Sequence, residues 1–262
     1  MDLRLTGRHA LVCGASQGIG RAAAFELAAL GASVTLLARS RDALVALAGE
    51  LPATQPGQVH DHIVADMSQT DALEQAVAGL ARLNAVHILV NNSGGPPPGA
   101  LAGADPAAFE AAFRQHILAA QVITRSCLPG MRQARFGRVV NVISTSVKEP
   151  IPNLGVSNTV RAAMAGWAKT LATEVAHDGI TVNNVLPGYT RTPRLDALVD
   201  ASCKAGRSRD EVERGLLASV PAARFGEPAE VAAVIAFLSS PAAGYVNGVS
   251  LAVDGGRTRS LN

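Results

Sequence analysis

The chain has 262 residues, of which 48% are hydrophobic, so it can bury a large core, and nothing in it resembles a linker between two domains. Its 23 basic and 21 acidic residues are scattered and leave a net charge of +2, without the basic stripe that nucleic acid or an anionic membrane requires. The N-terminal residues lack the apolar core of a signal peptide, and no apolar run approaches the roughly 18 residues of a membrane span. We expect a single domain over residues 1–262 that stays in the cytoplasm.

Seven short apolar runs rich in β-branched residues, each bounded by turn residues, are typical of parallel strands buried on both faces. They cover residues 9–13, 33–37, 60–64, 87–90, 138–143, 181–186 and 249–253. Segments with Ala-rich, helix-spaced apolar positions alternate with them, at residues 21–30, 41–50, 72–82, 106–132, 156–177 and 228–239. The alternation predicts an α/β fold, a Rossmann-like doubly wound parallel sheet of about seven strands with helices on both faces.

Two segments outside this alternation lie where a ligand would bind. The Gly- and Pro-rich stretch 94–99 follows the fourth strand and must form a stiff loop at the carboxyl edge of the sheet, where ligands of doubly wound sheets sit. Residues 189–220 are less regular and are the candidate for a lobe that covers the substrate. The three cysteines, Cys13, Cys127 and Cys203, lie far apart without metal-ligand spacing, so we expect reduced structural thiols and no metal site.

A glycine-rich turn links the first strand to the first helix. Gly14, Gly18 and Gly20 fall in the sequence GASQGIG, where glycine permits the tight turn and lets a pyrophosphate approach the amides at the helix N-terminus. With a strand before it and a helix after it, the pattern indicates a dinucleotide site. The alternative is an ordinary strand-to-helix turn.

The residues after the second strand indicate which dinucleotide binds. An acidic residue there would bind the ribose hydroxyls of NAD, but the chain reads LLARSR over residues 36–41. The guanidinium of Arg39, with the hydroxyls of Ser16 and Ser40 nearby, suits a 2′-phosphate, because arginine offers a forked, permanently charged donor. We therefore predict NADP(H) over NAD(H). The alternative is that Arg39 is a solvated residue at the start of a helix.

Four separated motifs occur in the order of one known family. They are GASQGIG at 14–20, Asp66-Met67 after the third strand, NNSG at 91–94 after the fourth and PGYTRT at 187–192 after the sixth. Over essentially its whole length the chain resembles the short-chain dehydrogenase/reductase family. The resemblance implies that Asp66 holds the adenine amino group, that Asn92 and Gly94 line the adenosine ribose, and that Thr192 meets the nicotinamide carboxamide. On the residues alone, Asp66 could instead cap the following helix and Asn92 could form a turn.

Together these inferences define a set of cofactor-binding candidates. They are Gly14, Ser16, Gln17, Gly18, Ile19, Gly20, Arg39, Ser40, Asp66, Met67, Asn92, Gly94, Arg161, Pro187, Gly188, Thr190 and Thr192.

The resemblance also implies a catalytic set of Ser, Tyr, Lys and Asn, of which the chain keeps only the serine. Ser144 matches the Ser after the fifth strand, whereas Ser157 stands at the Tyr position, Arg161 at the Lys position and His116 at the Asn position. Arg161 can hold ribose hydroxyls, but its pKa above about 12 makes it a poor proton relay. Ser157 reaches roughly 4 Å less far than tyrosine and is far less acidic. Its alternative role is that of a helix N-cap.

The proton donor therefore has several candidates. His116 ranks first because histidine titrates near neutrality, although it could be an ordinary buried helix histidine. Tyr189 ranks next, although an aromatic residue there could only shape the pocket wall. Lys148 and Glu149 rank third, although a charged pair on a loop is usually solvated, and water could also serve.

We therefore expect an NADP(H)-dependent oxidoreductase that acts on a small carbonyl or alcohol, with a non-standard proton donor. The alternatives are a redox-silent cofactor-binding protein and a non-redox lyase or isomerase on the same fold. The substrate pocket would comprise residues 94–99, 144–152 and 189–220. An anionic substrate is conceivable from Arg191, Arg194, Lys204, Arg207 and Arg209, although a solvated basic surface explains them equally. The small apolar residues of the 106–132 and 156–177 helices favour a homo-oligomer, a tetramer or dimer as in relatives.

Overall fold

A computed structural model of the protein describes residues 1–203 and 206–261. The strands are β1 (His9–Cys13), β2 (Ser33–Ala38), β3 (His60–Val64), β4 (Ile88–Asn91), β5 (Gly137–Val142), β6 (Ile180–Pro187) and β7 (Ser250–Val253). The α-helices are α1 (Gly18–Ala29), α2 (Arg41–Glu50), α3 (Thr70–Leu83), α4 (Pro106–Phe113), α5 (Ala119–Gln133), α6 (Gly155–Val175), α7 (Pro193–Cys203), α8 (Arg209–Leu217) and α9 (Pro228–Ser239).

All seven strands form one parallel sheet in the order β3-β2-β1-β4-β5-β6-β7. The chain starts in the middle of the sheet, builds outward to β3, then returns and builds outward in the other direction. The strand order reverses between β1 and β4, which opens a crevice at the carboxyl ends of these strands. The predicted single-domain, doubly wound fold is confirmed.

Alternate residues of the central strands pack into separate cores because successive side chains of a strand point to opposite faces. Ala10 and Val12 of β1 pack in the core that includes α1 and α9. Leu11 and Cys13 pack in the core that includes α3, α5 and α6. Burial on both faces explains why the strands read as continuous apolar runs.

A row of polar side chains crosses the carboxyl half of this sheet. Asn91 donates to Asn141 at 2.9 Å, Asn141 donates to Asn184 at 2.9 Å, and Asn184 donates to Ser250 at 3.0 Å. These residues are directly opposite one another in the register of β4, β5, β6 and β7. These bonds tie four strands together beside the crevice, and Oδ1 of Asn91 at the end of the row has no partner among the described residues.

Two predicted segments differ from the structure. The helix predicted over 106–132 is divided, because a π-helical turn at Arg114–Leu118 lies between α4 and α5. A π turn is not visible in hydrophobic periodicity and often accompanies a functional site. The segment 189–220, predicted to be irregular, contains α7 and α8, and its Lys204 lies outside the described residues.

Within residues 1–203 and 206–261, no helix is long and apolar enough to cross a bilayer. The same residues contain no cluster of His, Cys, Asp or Glu suited to a metal ion. Cys13 and Cys127 are buried free thiols, and burial raises the pKa of both, that of Cys127 to about 12. Such thiols are inert and structural in character.

Candidate functional site

The glycine turn after β1 is built for close backbone approach. Gly14 and Gly18 have φ values of +58° and +56°, a conformation that favours glycine. A Cβ on Gly20 would lie 2.2 Å from the carbonyl oxygen of Gly14, so only glycine lets α1 pack this closely on the turn. Helix α1 has no side-chain cap and no acidic residue in its first turn, which leaves its first N–H groups available to an anion.

A cavity of about 670 Å³ runs along the carboxyl edge of the sheet from this turn. It is lined by most of the predicted cofactor residues. They are Gly14, Ser16, Gln17, Gly18, Ile19, Arg39, Ser40, Asp66, Met67, Asn92, Gly94, Arg161, Pro187, Gly188, Thr190 and Thr192. Gly20 does not line it and acts through the packing just described. These residues come from sequence motifs that are scattered over the chain. The fold therefore gathers them in one cavity.

One end of the cavity has the residues expected around an adenosine. Arg39 and Ser40 are exposed at the end of β2, next to Asp66 after β3. Asp66 accepts hydrogen bonds from the backbone and hydroxyl of Ser68, both at 2.8 Å, and these bonds lower its pKa, with a smaller contribution from the charge of Arg39. The alternative role of Asp66 as a helix cap is wrong, because Gln69 is the N-cap residue of α3.

Asn92 connects the two central strands at the same edge. Its side-chain amide donates to the carbonyl oxygens of Cys13 at 3.3 Å and Gly14 at 3.2 Å. It therefore fixes the end of β4 against the glycine turn while it lines the cavity. A Cβ on Gly14 would lie 2.7 Å from this amide nitrogen, which is a second reason for glycine there.

The loop after β6 closes over the glycine turn. A Cβ on Gly18 would lie 3.2 Å from Cγ2 of Thr192, so the loop and the turn are in near contact. The hydroxyl of Thr192 donates to the carbonyl oxygen of Thr190 at 3.2 Å and accepts from the N–H of Leu195 at 3.4 Å at the start of α7. These bonds hold PGYTRT against the cavity.

Ser144 lies just beyond β5, with its side chain on the cavity wall. Its backbone is extended, and its Oγ accepts a hydrogen bond from the N–H of Ser146 at 3.1 Å. Because the oxygen accepts this bond, the hydroxyl hydrogen is free to point at a substrate oxygen. The position suits a donor that polarises a carbonyl.

Ser157 is buried in the first turn of α6 and lines the same cavity. The alternative role as helix N-cap is wrong, because α6 begins at Gly155 and Leu154 is its N-cap residue. The sequence Ser-Asn-Thr resembles a cap, but the helix starts earlier because Gly155 packs on Leu101 and donates to Gly99 at 3.0 Å.

Arg161 is buried one helical turn after Ser157 and also lines the cavity. Its Nη1 donates to the carbonyl oxygen of Val142 at 3.0 Å, at the end of β5. Burial, with the nearby charge of Arg194, lowers its pKa to about 10. It therefore remains a cation at neutral pH and is suited to binding rather than to proton transfer.

His116 lies in the π-helical turn and is buried behind the cavity wall rather than on it. Its Nδ1 lies 2.8 Å from Oγ of Ser93, a hydroxyl-bearing residue that does line the cavity. Burial above all, and then the charges of Arg161 and Arg194, lower its pKa to about 2. The expectation that His116 titrates near neutrality is wrong for this reason, and the imidazole is neutral at physiological pH.

The remaining proton candidates separate clearly by position. Tyr189 lines the cavity, and the guanidinium carbon of Arg257 lies 4.9 Å from its ring centroid. Lys148 and Glu149 are absent from the cavity wall, and Glu149 accepts from the backbone of Arg259 at 2.6 Å. The predicted stretch 144–152 thus reaches the cavity through Ser144, Thr145 and Ile151.

Two arginines on the wall were not assigned to the site from the sequence. Arg194, at the start of α7, donates to the carbonyl oxygens of Gly95 at 3.2 Å and Pro96 at 2.6 Å. Arg257, after β7, donates from Nη1 to the hydroxyl of Thr145 at 3.2 Å. Arg194 belongs to the basic segment that the sequence analysis describes. No sequence motif surrounds Arg257, so the position of Arg257 on the wall was not predictable.

The family model described as enoyl-(acyl carrier protein) reductase matches residues 14–258 of the chain. The 3-oxoacyl-[acyl-carrier-protein] reductase of Haemophilus influenzae is 32% identical, covering 96% of this chain and 98% of the relative. The L-sorbose reductase of Gluconobacter frateurii, solved with NADPH and L-sorbose, has 29% identity and a TM-score of 0.92, with 100% of both chains covered. A gluconate 5-dehydrogenase of Burkholderia cenocepacia, solved with NADP and tartrate, has 28% identity and a TM-score of 0.88, covering 99% of this chain and 98% of that one.

Proposed function

Because the chain belongs to the short-chain dehydrogenase/reductase family, whose members are oxidoreductases, we propose that it is an NADP(H)-dependent oxidoreductase acting on a small carbonyl or alcohol. The observation that carries the proposal is one cavity that joins the glycine turn to Ser144, Ser157 and Arg161. The glycine turn can bind a dinucleotide, and Ser144, Ser157 and Arg161 can bind a reacting carbonyl beside it.

The choice of NADP(H) depends on Arg39 and its neighbours. When bound, the cofactor supplies the hydride. Arg39 and Ser40 would hold its 2′-phosphate, since Arg39 forms no ion pair within the described residues and no carboxylate follows β2 directly. Asp66 would lie on the adenine side, and the free N–H groups of α1 would face the pyrophosphate.

We propose that Ser157 and Arg161 stand where the family has its Tyr and Lys. Arg161 would hold the ribose hydroxyls and keep a positive charge beside the nicotinamide, as its burial on the cavity wall allows. Ser144 would donate a hydrogen bond to the substrate oxygen, and the hydroxyl of Ser157 would add a second polar contact. Neither serine is acidic enough to supply the proton.

We propose Tyr189 as the proton donor. Among the described residues that line the cavity, Tyr189 and Asp66 are the two titratable groups that are not arginines, and Asp66 lies at the adenine end. Arg257 connects Tyr189 to the catalytic end, because it stacks on the Tyr189 ring and donates to Thr145, the neighbour of Ser144. His116, neutral and behind the wall, would position Ser93.

Three further predictions concern subunit assembly, the segment that covers the substrate, and the location of the protein. A homo-oligomer, tetramer or dimer, would bury Phe113 and Leu118, which are 43% and 38% exposed on the segments proposed for subunit contacts. Segment 189–220, with α7 and α8, would cover the substrate. A cytoplasmic location remains a prediction.

The test combines binding with turnover. NADPH binding is followed by fluorescence, and NADPH oxidation is measured with a panel of ketones and aldehydes. We expect tight binding and oxidation with part of the panel, and Ser144→Ala should retain binding but lose turnover. Tight binding without oxidation by any substrate would overturn the proposal in favour of the redox-silent alternative.

A further inference from the structure

The catalytic end of the cavity has an excess of positive charge. Arg161, Arg194 and Arg257 line it, whereas Asp66, the one acidic residue among the described lining residues, lies at the opposite, adenine end. Neither Arg194 nor Arg257 forms an ion pair with a carboxylate within residues 1–203 and 206–261. Such unpaired cations in a recess attract an anion.

Arg191 and Arg209, two other arginines of the same region, differ in this respect. Arg191 pairs with Glu227 at 3.2 Å, and Arg209 pairs with Asp196, Asp200 and Glu213 at 2.8 to 3.2 Å. These residues lie away from the cavity wall and are charge-compensated. The charges of Arg194 and Arg257, in contrast, face the cavity without a carboxylate partner among the described residues.

The arginines also have unused donors. Nε of Arg257 is buried without a hydrogen-bond partner in the described chain, although Nη1 of the same group donates to Thr145. An ideal Cβ on Gly95 would lie 3.3 Å from Nη2 of Arg194 and 3.6 Å from Nη2 of Arg161, so these two cations approach the same point of the loop. Like charges held this close repel each other, and an anion between them relieves that repulsion.

We propose that Arg194 and Arg257 bind an anionic group of the substrate, a carboxylate or a phosphate ester. The inference rests on the proposed function and names the substrate class of the same site. Guanidinium groups suit both anions because their forked donors match two oxygens at once. The reacting carbonyl would then lie beside Ser144, next to the residue that Arg257 contacts.

The cofactor's own phosphates are the main competing ligand for these arginines. The pyrophosphate is expected at the glycine turn and the α1 N-terminus, and the 2′-phosphate at Arg39. Arg257 instead contacts Thr145 and Tyr189, and Arg194 contacts the loop at Gly95. We therefore expect both arginines to bind the substrate rather than the cofactor.

Calorimetric titration of the NADP⁺-saturated protein tests this without requiring turnover, so it can fail or succeed independently of the proposed reaction. The probes are L-tartrate against dimethyl L-tartrate, and glycerol 3-phosphate against glycerol. We expect one anion to bind at least tenfold more tightly than its neutral partner, and the preferred anion identifies carboxylate or phosphate.

The variants Arg194→Met and Arg257→Met should each raise the Kd for that anion at least tenfold while leaving the Kd for NADP⁺ unchanged. Arg257→Lys, which keeps the charge, should recover part of the loss. Arg191→Met removes the same charge outside the cavity and should have no effect. Equal binding of the charged and neutral probes would overturn the proposal. Variants that weaken the binding of NADP⁺ but not the binding of the anion would also overturn it.

Discussion

The buried guanidinium of Arg161 donates a hydrogen bond to the carbonyl oxygen of Val142 at 3.0 Å, which ties α6 to the end of β5 at the catalytic end of the cavity. The bond fixes a cation where the nicotinamide ribose is proposed to bind. Arg161→Met should therefore raise the Kd for NADPH about tenfold or more, since a hydrogen bond to a charged group contributes about 1.5 to 3 kcal/mol. Arg161→Lys should lose less. Fluorescence titration measures both, and an unchanged Kd in the Met variant would exclude a binding role.

The proposed preference for NADPH depends on Arg39, which has no carboxylate partner at the end of β2. Arg39→Asp should lower kcat/KM with NADPH at least tenfold, by loss of a charged hydrogen bond and by repulsion of the 2′-phosphate, and should improve the use of NADH. Arg41→Asp makes the same charge change on an exposed residue outside the cavity and is the matched control. An unchanged ratio of NADPH to NADH activity in the Arg39 variant would refute the assignment.

Burial of neutral His116 makes the stability of the fold depend on pH. Its folded pKa, about 2, lies below the ordinary value of 6.5, so below pH 6.5 the unfolded chain binds a proton that the folded chain does not. The free energy of unfolding should fall as the pH is lowered, by about 1 kcal/mol from this residue between about pH 6.5 and 5.5. His87, with a pKa lowered to about 4 chiefly by burial, acts in the same direction.

Urea unfolding at two pH values measures this effect. His116→Gln should show a shallower loss of stability on acidification than the parent protein. His177→Gln, at a side chain that is 76% exposed and pairs with Asp178 at 3.4 Å, should not make the slope shallower. Identical slopes for all three proteins would show that His116 titrates normally.

The amide row across the sheet should contribute to stability. Asn141→Ala removes the partner of both Asn91 and Asn184 in the buried sheet and should lower the free energy of unfolding by about 2 to 4 kcal/mol. The exposed Asn84→Ala should change it by less than about 0.5 kcal/mol. Chemical denaturation gives both values, and a loss below about 1 kcal/mol at Asn141 would mean that water replaces the missing partner.

Much of the fold was predictable because its signals are local. The strand runs coincide with β1 to β7 to within a residue or two, and the inner strands read as largely apolar segments because they are buried on both faces. The glycine turn was predictable for the same reason, because strand, glycines and helix are contiguous in sequence. The predicted cofactor residues gather in one cavity because the carboxyl ends of parallel strands share one edge.

The differences arise where tertiary packing outweighs local pattern. The π turn around His116 breaks a helix whose periodicity continues through it, and the pKa of His116 is lowered first by its burial and then by the charges of Arg161 and Arg194, which are distant in sequence. Ser157 resembles a cap, yet contacts of Gly155 move the helix start upstream. Arg257 reaches the cavity from the end of the chain, where no sequence motif marks it.

We propose that the proton donor has moved from α6 to Tyr189, and the turnover number of the Tyr189→Phe variant tests this proposal. With a substrate that supports NADPH oxidation, kcat should fall about 10²- to 10⁴-fold while the Kd for NADPH is unchanged, because only the phenolic proton is removed. Adding Ser157→Tyr and Arg161→Lys to this variant should restore turnover. A Tyr189→Phe variant with the kcat of the parent protein would show that Tyr189 is not the proton donor.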